Sequence, residues 1–116
     1  MLNKLIPLNL NLIFHSLSDA TRREIINMLF KNPNMSVSEI ARPFDMSLPA
    51  ITKHLNVLQK AGILIRTKIG RQIYCSIDPS KIKTASDFLD YYSVFWNNQF
   101  DNLEKHLNEN SSQVAG

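Results

Sequence analysis

Apolar positions recur along this chain with two different periods, and the change from one to the other divides it. Leu10, Ile13, Phe14 and Leu17 fall at i, i+3, i+4 and i+7, the spacing of one helical face, and predict a first helix over Leu10–Leu17. Asp19 follows as an N-cap, because its carboxylate can accept the free amides of the next turn. A second helix is predicted from Ala20 to Phe30, burying Ile25, Ile26, Met28 and Leu29 to different degrees, and Asn32-Pro33-Asn34 ends it. Ser36-Val37-Ser38-Glu39 reads as a capping box at the head of a short third helix. In such a box the Ser36 side chain meets the Glu39 amide, and the Glu39 carboxylate reaches back to the Ser36 amide. Pro43 lacks an amide proton and stops that helix near Arg42–Phe44. After the tight connection Asp45-Met46, Ser47 caps a fourth helix with Pro49 in its first turn. Leu48, Ile51, Leu55 and Leu58 form its predicted inward face, it runs to Lys60, and Gly62 closes it in the left-handed conformation that helix ends favour.

Beyond Gly62 the period becomes two. Leu64–Lys68 and Gln72–Ile77 each alternate, with Ile65, Thr67 and Ile69 on one parity of the first run and Ile73, Cys75 and Ile77 on one parity of the second. Gly70-Arg71 lies between them as a turn, so the segment predicts a β-hairpin with a basic tip. Asp78-Pro79 ends the second strand, and the helical period returns over Ile82–Leu107. There Phe88, Leu89, Tyr92, Phe95, Trp96, Phe100 and Leu103 make an aromatic-rich ladder. The expected fold class is mainly α with a small β-hairpin, in the order α-α-α-α-β-β-α, which is that of a winged helix-turn-helix. One domain is expected over residues 1–110, with a flexible tail at 111–116.

Charge adds direction to this outline. The 116 residues carry a net charge of +3, but residues 1–83 hold twelve basic and five acidic side chains, and residues 84–116 hold one and five. From Ser47 to Arg71 there are Lys53, Lys60, Arg66, Lys68 and Arg71 and no acid at all. A one-signed segment in a folded domain points to a polyanion; a merely solvated basic face is the plain alternative. The single cysteine, Cys75, excludes an intrachain disulfide and reads as a small packed hydrophobe, and no zinc-ligand spacing of Cys and His is present. Leu5–Phe14 is apolar but interrupted by Pro7, Asn9 and Asn11, too short for a membrane span and without a cleavage site. It is expected to be a buried terminal segment of a cytoplasmic protein with no membrane partner.

Two short helices, a tight turn between them and a basic hairpin make double-stranded DNA the expected partner. In that motif the second helix, here Ser47–Lys60, enters the major groove with its first residues at the base edges. Ser47, Pro49, Ala50, Thr52, Lys53, His54 and Asn56 are then the candidate contacts there. Thr52 suits a base edge, Pro49 and Ala50 suit thymine methyl groups, and Lys53 suits guanine or a phosphate. Arg22, Arg23 and Lys60 are candidates for phosphates, which set register without reading sequence. Lys68 and Arg71 belong to the hairpin, whose tip suits an adjacent minor groove. His54, beside an apolar Leu, is read equally well as a packed structural histidine. The long terminal stripe is too apolar for one small monomer, which points to a second copy, although part of it must cover the chain's own core.

The stretches Ser18-Asp-Ala-Thr-Arg-Arg-Glu-Ile-Ile26 and Ser36 to Leu64 resemble the ArsR/SmtB family of bacterial winged-helix repressors. The Gly70-Arg71 wing, Phe95-Trp96 and Leu103–Leu107 extend the likeness over residues 12–108. The resemblance implies a homodimer whose first and last helices form the dimer layer, with Leu10, Ile13 and Phe14 joining the terminal ladder. It also implies a palindromic operator read by one helix from each copy. Soft-metal sensors of the family carry cysteines where this chain has Ser36 and Ser38. The zinc pattern on the last helix, started at Asp90, meets Tyr92, Leu103 and His106, so two ligands are missing. No metal and no cofactor are therefore expected; similar cysteine-poor members have a signal that is unknown or organic, so a small-molecule inducer is one candidate and the sequence does not identify the signal.

Two other function classes fit the residues less well. A winged-helix module that docks protein would present an apolar fourth helix, whereas Thr52, Lys53, Asn56 and Lys60 are polar. An enzyme would need a nucleophile with its base, paired carboxylates or a glycine-rich loop; none is evident, and the chain has only three glycines.

Overall fold

The computed structural model describes residues 9–115, and their side chains as far as residue 108. The expectations for residues 5–8 and for the side chains of the 111–116 tail lie outside the described residues. In chain order the elements are α1 (Leu10–Leu17), α2 (Ala20–Lys31), β1 (Met35–Ser36), α3 (Val37–Ala41), α4 (Leu48–Lys60), β2 (Leu64–Ile69), β3 (Gln72–Ile77) and α5 (Pro79–Ala115). This is the predicted mainly helical order with one short strand added.

α2, α3 and α4 each begin where a side chain replaces the missing intrahelical partner. Asp19 accepts from the Arg22 amide at 3.1 Å, and Ser47 accepts from the Ala50 amide at 3.2 Å. At α3 the full capping box is present: Ser36 Oγ accepts from the Glu39 amide, and Glu39 Oε1 accepts from the Ser36 amide. The end of α4 is a Schellman motif, with the Ile63 amide on the Leu58 carbonyl and the Gly62 amide on the Gln59 carbonyl. Gly62 adopts φ +80° there, a conformation that a Cβ would strain.

β1, β3 and β2 form one antiparallel sheet in that spatial order. Leu64 pairs with Ile77, Arg66 with Cys75 and Ile69 with Gln72, so Gly70-Arg71 is a two-residue loop. Gly70 has φ +64° and Arg71 is not left-handed, the pattern of a type II′ turn. The core gathers Ile13 from α1, Ile25 and Leu29 from α2, Ile40 from α3, and Ile51, Leu55 and Leu58 from α4. Ile26, Ala61, Ile63, Leu64, Cys75 and Ala85 complete it.

Several expectations need correction. Leu10 and Ile13, expected between two copies, are buried within the chain, Ile13 as part of its core. Leu48, expected inward, is 54% exposed, because at the first helical position α4 has not yet reached the core. β1 is absent from the predicted order, since its two residues, paired with Tyr74 and Cys75, are too few to show alternation. Asp78-Pro79 ends β3 but also starts α5: Asp78 Oδ1 accepts from the Ser80 amide, and proline suits the first helical position because no amide is needed there. At its other end α5 passes Leu107 and continues to Ala115, with neither proline nor glycine between Pro79 and Ala115 to stop it.

The chain divides into two compact units, one ending at Ala85 and the other starting at Ser86. The second unit is helical, and among its described side chains none is buried. Phe88 is half-buried, whereas Leu89, Tyr92, Phe95, Trp96, Phe100 and Leu103 are exposed. Phe88 and Tyr92 meet edge to face at 5.1 Å, and Trp96 lies 6.2 Å from Phe100, so rings one turn apart already associate along the helix.

Candidate nucleic-acid interface

α4 has one face that belongs to the core and one that belongs to water. Ile51, Leu55 and Leu58 are fully buried. On the opposite side Pro49, Lys53, Asn56 and Lys60 follow one another at i, i+4, i+7 and i+11, and all four are exposed. Thr52 is half-buried at the edge of this stripe, Ala50 is half-buried on the other flank, and the Ser47 side chain serves as the N-cap. Lys68 and Arg71 are exposed on the hairpin. The acid-free segment thus places Lys53 and Lys60 on a helix face, and Lys68 and Arg71 on the β2–β3 hairpin.

His54 turns away from that stripe toward α2. Its Nδ1 lies 3.3 Å from an Arg22 Nη and 3.7 Å from Asp19 Oδ2. The Arg22 amide holds the Asp19 carboxyl below its ordinary value of 3.8, and the nearby His54 and Arg22 charges add to that against partial desolvation.

Arg22 itself is not a surface cation. It is only 8% exposed, its Nε donates to the Ser16 carbonyl at 2.8 Å, and its Nη2 donates to the His15 carbonyl at 3.0 Å. Arg23 donates to the Leu17 carbonyl at 2.8 Å but remains exposed. Two consecutive arginines of α2 therefore cap the C-terminal carbonyls of α1, where positive charge is favoured. The phosphate contact expected of Arg22 gives way to an internal brace that joins α1, the head of α2 and the middle of α4. The available clue in the sequence is the closeness of Thr21-Arg22-Arg23 to a helix end without its own glycine cap.

One link has no counterpart among the sequence-based expectations. Arg66 of β2 donates from Nη2 to Asn56 Oδ1, tying the hairpin to the exposed face of α4. Its parity with Leu64, and not its charge, is the signal for this, because that parity faces inward.

Among the described residues no three His, Cys, Asp or Glu side chains come together to hold a metal ion. Ser36 is engaged in the α3 cap. Cys75 is buried, and desolvation pushes its thiol above its ordinary range despite the neighbouring Arg66 charge. Among the described residues no helix is long and apolar enough to cross a membrane.

Comparison with known proteins agrees with this arrangement. Residues 19–66 match the family model for bacterial regulatory proteins of the arsR family. The chain is 32% identical over 80 residues to the transcriptional repressor SdpR of Bacillus subtilis, covering 69% of this chain and 88% of that protein. It is 29% identical over 86 residues to the arsenical resistance operon repressor of Escherichia coli, covering 74% and 71% respectively. A crystal structure of an ArsR family transcriptional regulator superposes with a TM-score of 0.73 at 35% identity, covering 78% of this chain and 93% of that one. The matched segment spans the α2 head, the capping box and all of α4, the elements that build the exposed cationic stripe. The chain belongs to the ArsR family and is a DNA-binding transcriptional regulator with a winged helix-turn-helix fold.

Proposed function

We propose that the protein is a homodimeric repressor that binds a palindromic operator in the cytoplasm. The observation that carries this reading is the exposed stripe Pro49, Lys53, Asn56 and Lys60 on a helix whose other face is closed into the core. A helix so held can enter a major groove as a rigid body, with Ser47, Pro49, Ala50, Thr52, Lys53 and Asn56 toward the base edges. Lys60 and Arg23 meet phosphates, and Lys68 and Arg71 reach the backbone or the adjacent minor groove. His54 acts through Arg22 and Asp19 by holding the angle of α4.

The second copy is proposed to cover the apolar face of α5 formed by Leu89, Tyr92, Phe95, Trp96, Phe100 and Leu103, with half-buried Phe88 at its margin. Of the three first-helix positions named for this role, only Phe14 retains surface. Such an exposed aromatic face fits a self-complementary two-fold contact. Repression is proposed because SdpR and the arsenical resistance protein are named repressors. Release is proposed to come from a small molecule other than a metal, and no catalytic step or cofactor is part of this reading.

Fluorescence anisotropy of the protein on its own upstream DNA and on a scrambled duplex, across a salt series, tests the proposal. A preference of about 10³ or more for the upstream duplex is expected. Equal, weak binding to both, together with recovery of a stable protein partner, would replace it with a protein-docking module.

A further inference from the structure

Asn56 differs from its neighbours on the exposed stripe of α4, because its side chain is held from outside the helix. Its Oδ1 accepts from Nη2 of Arg66. The donor is not a freely swinging surface arginine. Arg66 leaves β2 on the same side as buried Leu64 and stands opposite Cys75, which is completely buried. Its Nε is shut off from solvent without a hydrogen-bond partner, so the stem is enclosed and only the end of the guanidinium reaches the surface. An arginine confined in this way has already given up most of its rotamer freedom, and its bond to a carboxamide oxygen is charge-assisted.

This contact decides what Asn56 has left to offer. A free asparagine reads adenine with both ends of its amide, the oxygen accepting from N6 and the nitrogen donating to N7. Here one lone pair of that oxygen is taken by a cation, and the same cation repels the amino hydrogens that adenine would bring to the other. What faces outward is the Nδ2 group, a pair of donors. We propose that Arg66 is a positioning residue that sets base preference: it turns Asn56 into a donor and directs it to guanine, whose N7 and O6 both accept. This inference rests on the reading of α4 as the helix that enters the major groove.

Selection of bound duplexes from a random-sequence DNA pool by the full-length protein tests it, with wild type, Asn56→Ala and Arg66→Met compared. Wild type is expected to enrich a motif with guanine at a position that becomes base-neutral in Asn56→Ala. In Arg66→Met the same position is expected to shift toward adenine, the adenine-to-guanine ratio rising about tenfold, while the other positions stay as they were. An Arg66→Met motif identical to wild type overturns the proposal, and so does an Asn56→Ala motif with every preference intact. Asn56 is exposed, so its variant keeps the proposal falsifiable even if Arg66→Met fails to fold. A wild-type protein that enriches no motif overturns instead the DNA reading underneath, which separates the two failures.

Discussion

Two helices of this chain show water a long face, and the two faces are chemically opposite. α4 closes Ile51, Leu55 and Leu58 into the core and exposes Pro49, Lys53, Asn56 and Lys60. From Ser86 onward α5 exposes Leu89, Tyr92, Phe95, Trp96, Phe100 and Leu103, and none of its described side chains there is buried. Both helices carry apolar residues at helical spacing, so periodicity alone does not distinguish them. The difference is who covers the stripe. α4 has its apolar stripe covered by α1, α2, α3 and the sheet, and what remains outside beyond Leu48 and Pro49 at its head is mainly polar and cationic. The α5 stripe has no cover from its own unit, and leaving that many large apolar side chains in water is unfavourable by roughly 25 cal/mol for every Å². Under the proposed function, the first surface is for DNA and the second is for another copy.

The largest expected effect lies on the covered side. Leu55→Ala removes a fully buried side chain and is expected to lower unfolding free energy by about 2–5 kcal/mol in urea titrations. That loss should be independent of protein concentration; a loss that vanishes at high concentration would mean that α4 is not finished by its own chain. Trp96→Ala should behave in the opposite way. Trp96 is 54% exposed, so the isolated fold should keep its stability, while the dimer dissociation constant rises by the equivalent of ~2 kcal/mol or more in sedimentation equilibrium. An unchanged dissociation constant would remove Trp96 from the contact.

Smaller effects distinguish roles on α4 itself. Lys53→Ala should weaken duplex binding and lower the slope of log affinity against log salt by about one if the ammonium meets a phosphate. Weaker binding with an unchanged slope assigns it to a base edge, and no change in either removes it from the interface. The smallest effect is acid-specific. Unfolded Asp19 titrates near 3.8 and the folded residue titrates lower, so its contribution to stability is present above that pH and lost as pH falls below it. Asp19→Asn should therefore lower the melting temperature at neutral pH and flatten the decline below about pH 4. A parallel decline in both proteins would assign the acid sensitivity elsewhere.

Local chemistry made much of this fold legible. The caps at Asp19, Ser36 and Ser47 and the close at Gly62 are short-range arrangements between a residue and the adjoining turn, and each is visible in a few consecutive residues. Legibility failed where a residue's partner is distant or its signal has two meanings. Arginine usually stays at the surface, and the closeness of Arg22 to a helix end without a glycine cap does not by itself separate a donor for the α1 carbonyls from a phosphate contact. Asp78-Pro79 stops a strand and starts a helix with the same two residues. Leu48 matches the inward spacing of α4 but lies ahead of the point where the core begins. The contact from Arg66 to Asn56 joins residues brought together only by the placement of β2 beside α4. For the candidate site, the helix and its cations were legible, whereas the bonds that orient Asn56 and His54 were not.

The most direct test of the central claim is mapping of backbone amide shifts by NMR as a duplex selected by the protein is titrated in. Perturbations concentrated at Ser47–Lys60 and Lys68–Arg71, with residues 86–108 unchanged, are the predicted result. Shifts confined to 86–108 with α4 silent would contradict it, because DNA would then be meeting the apolar helix and not the cationic stripe.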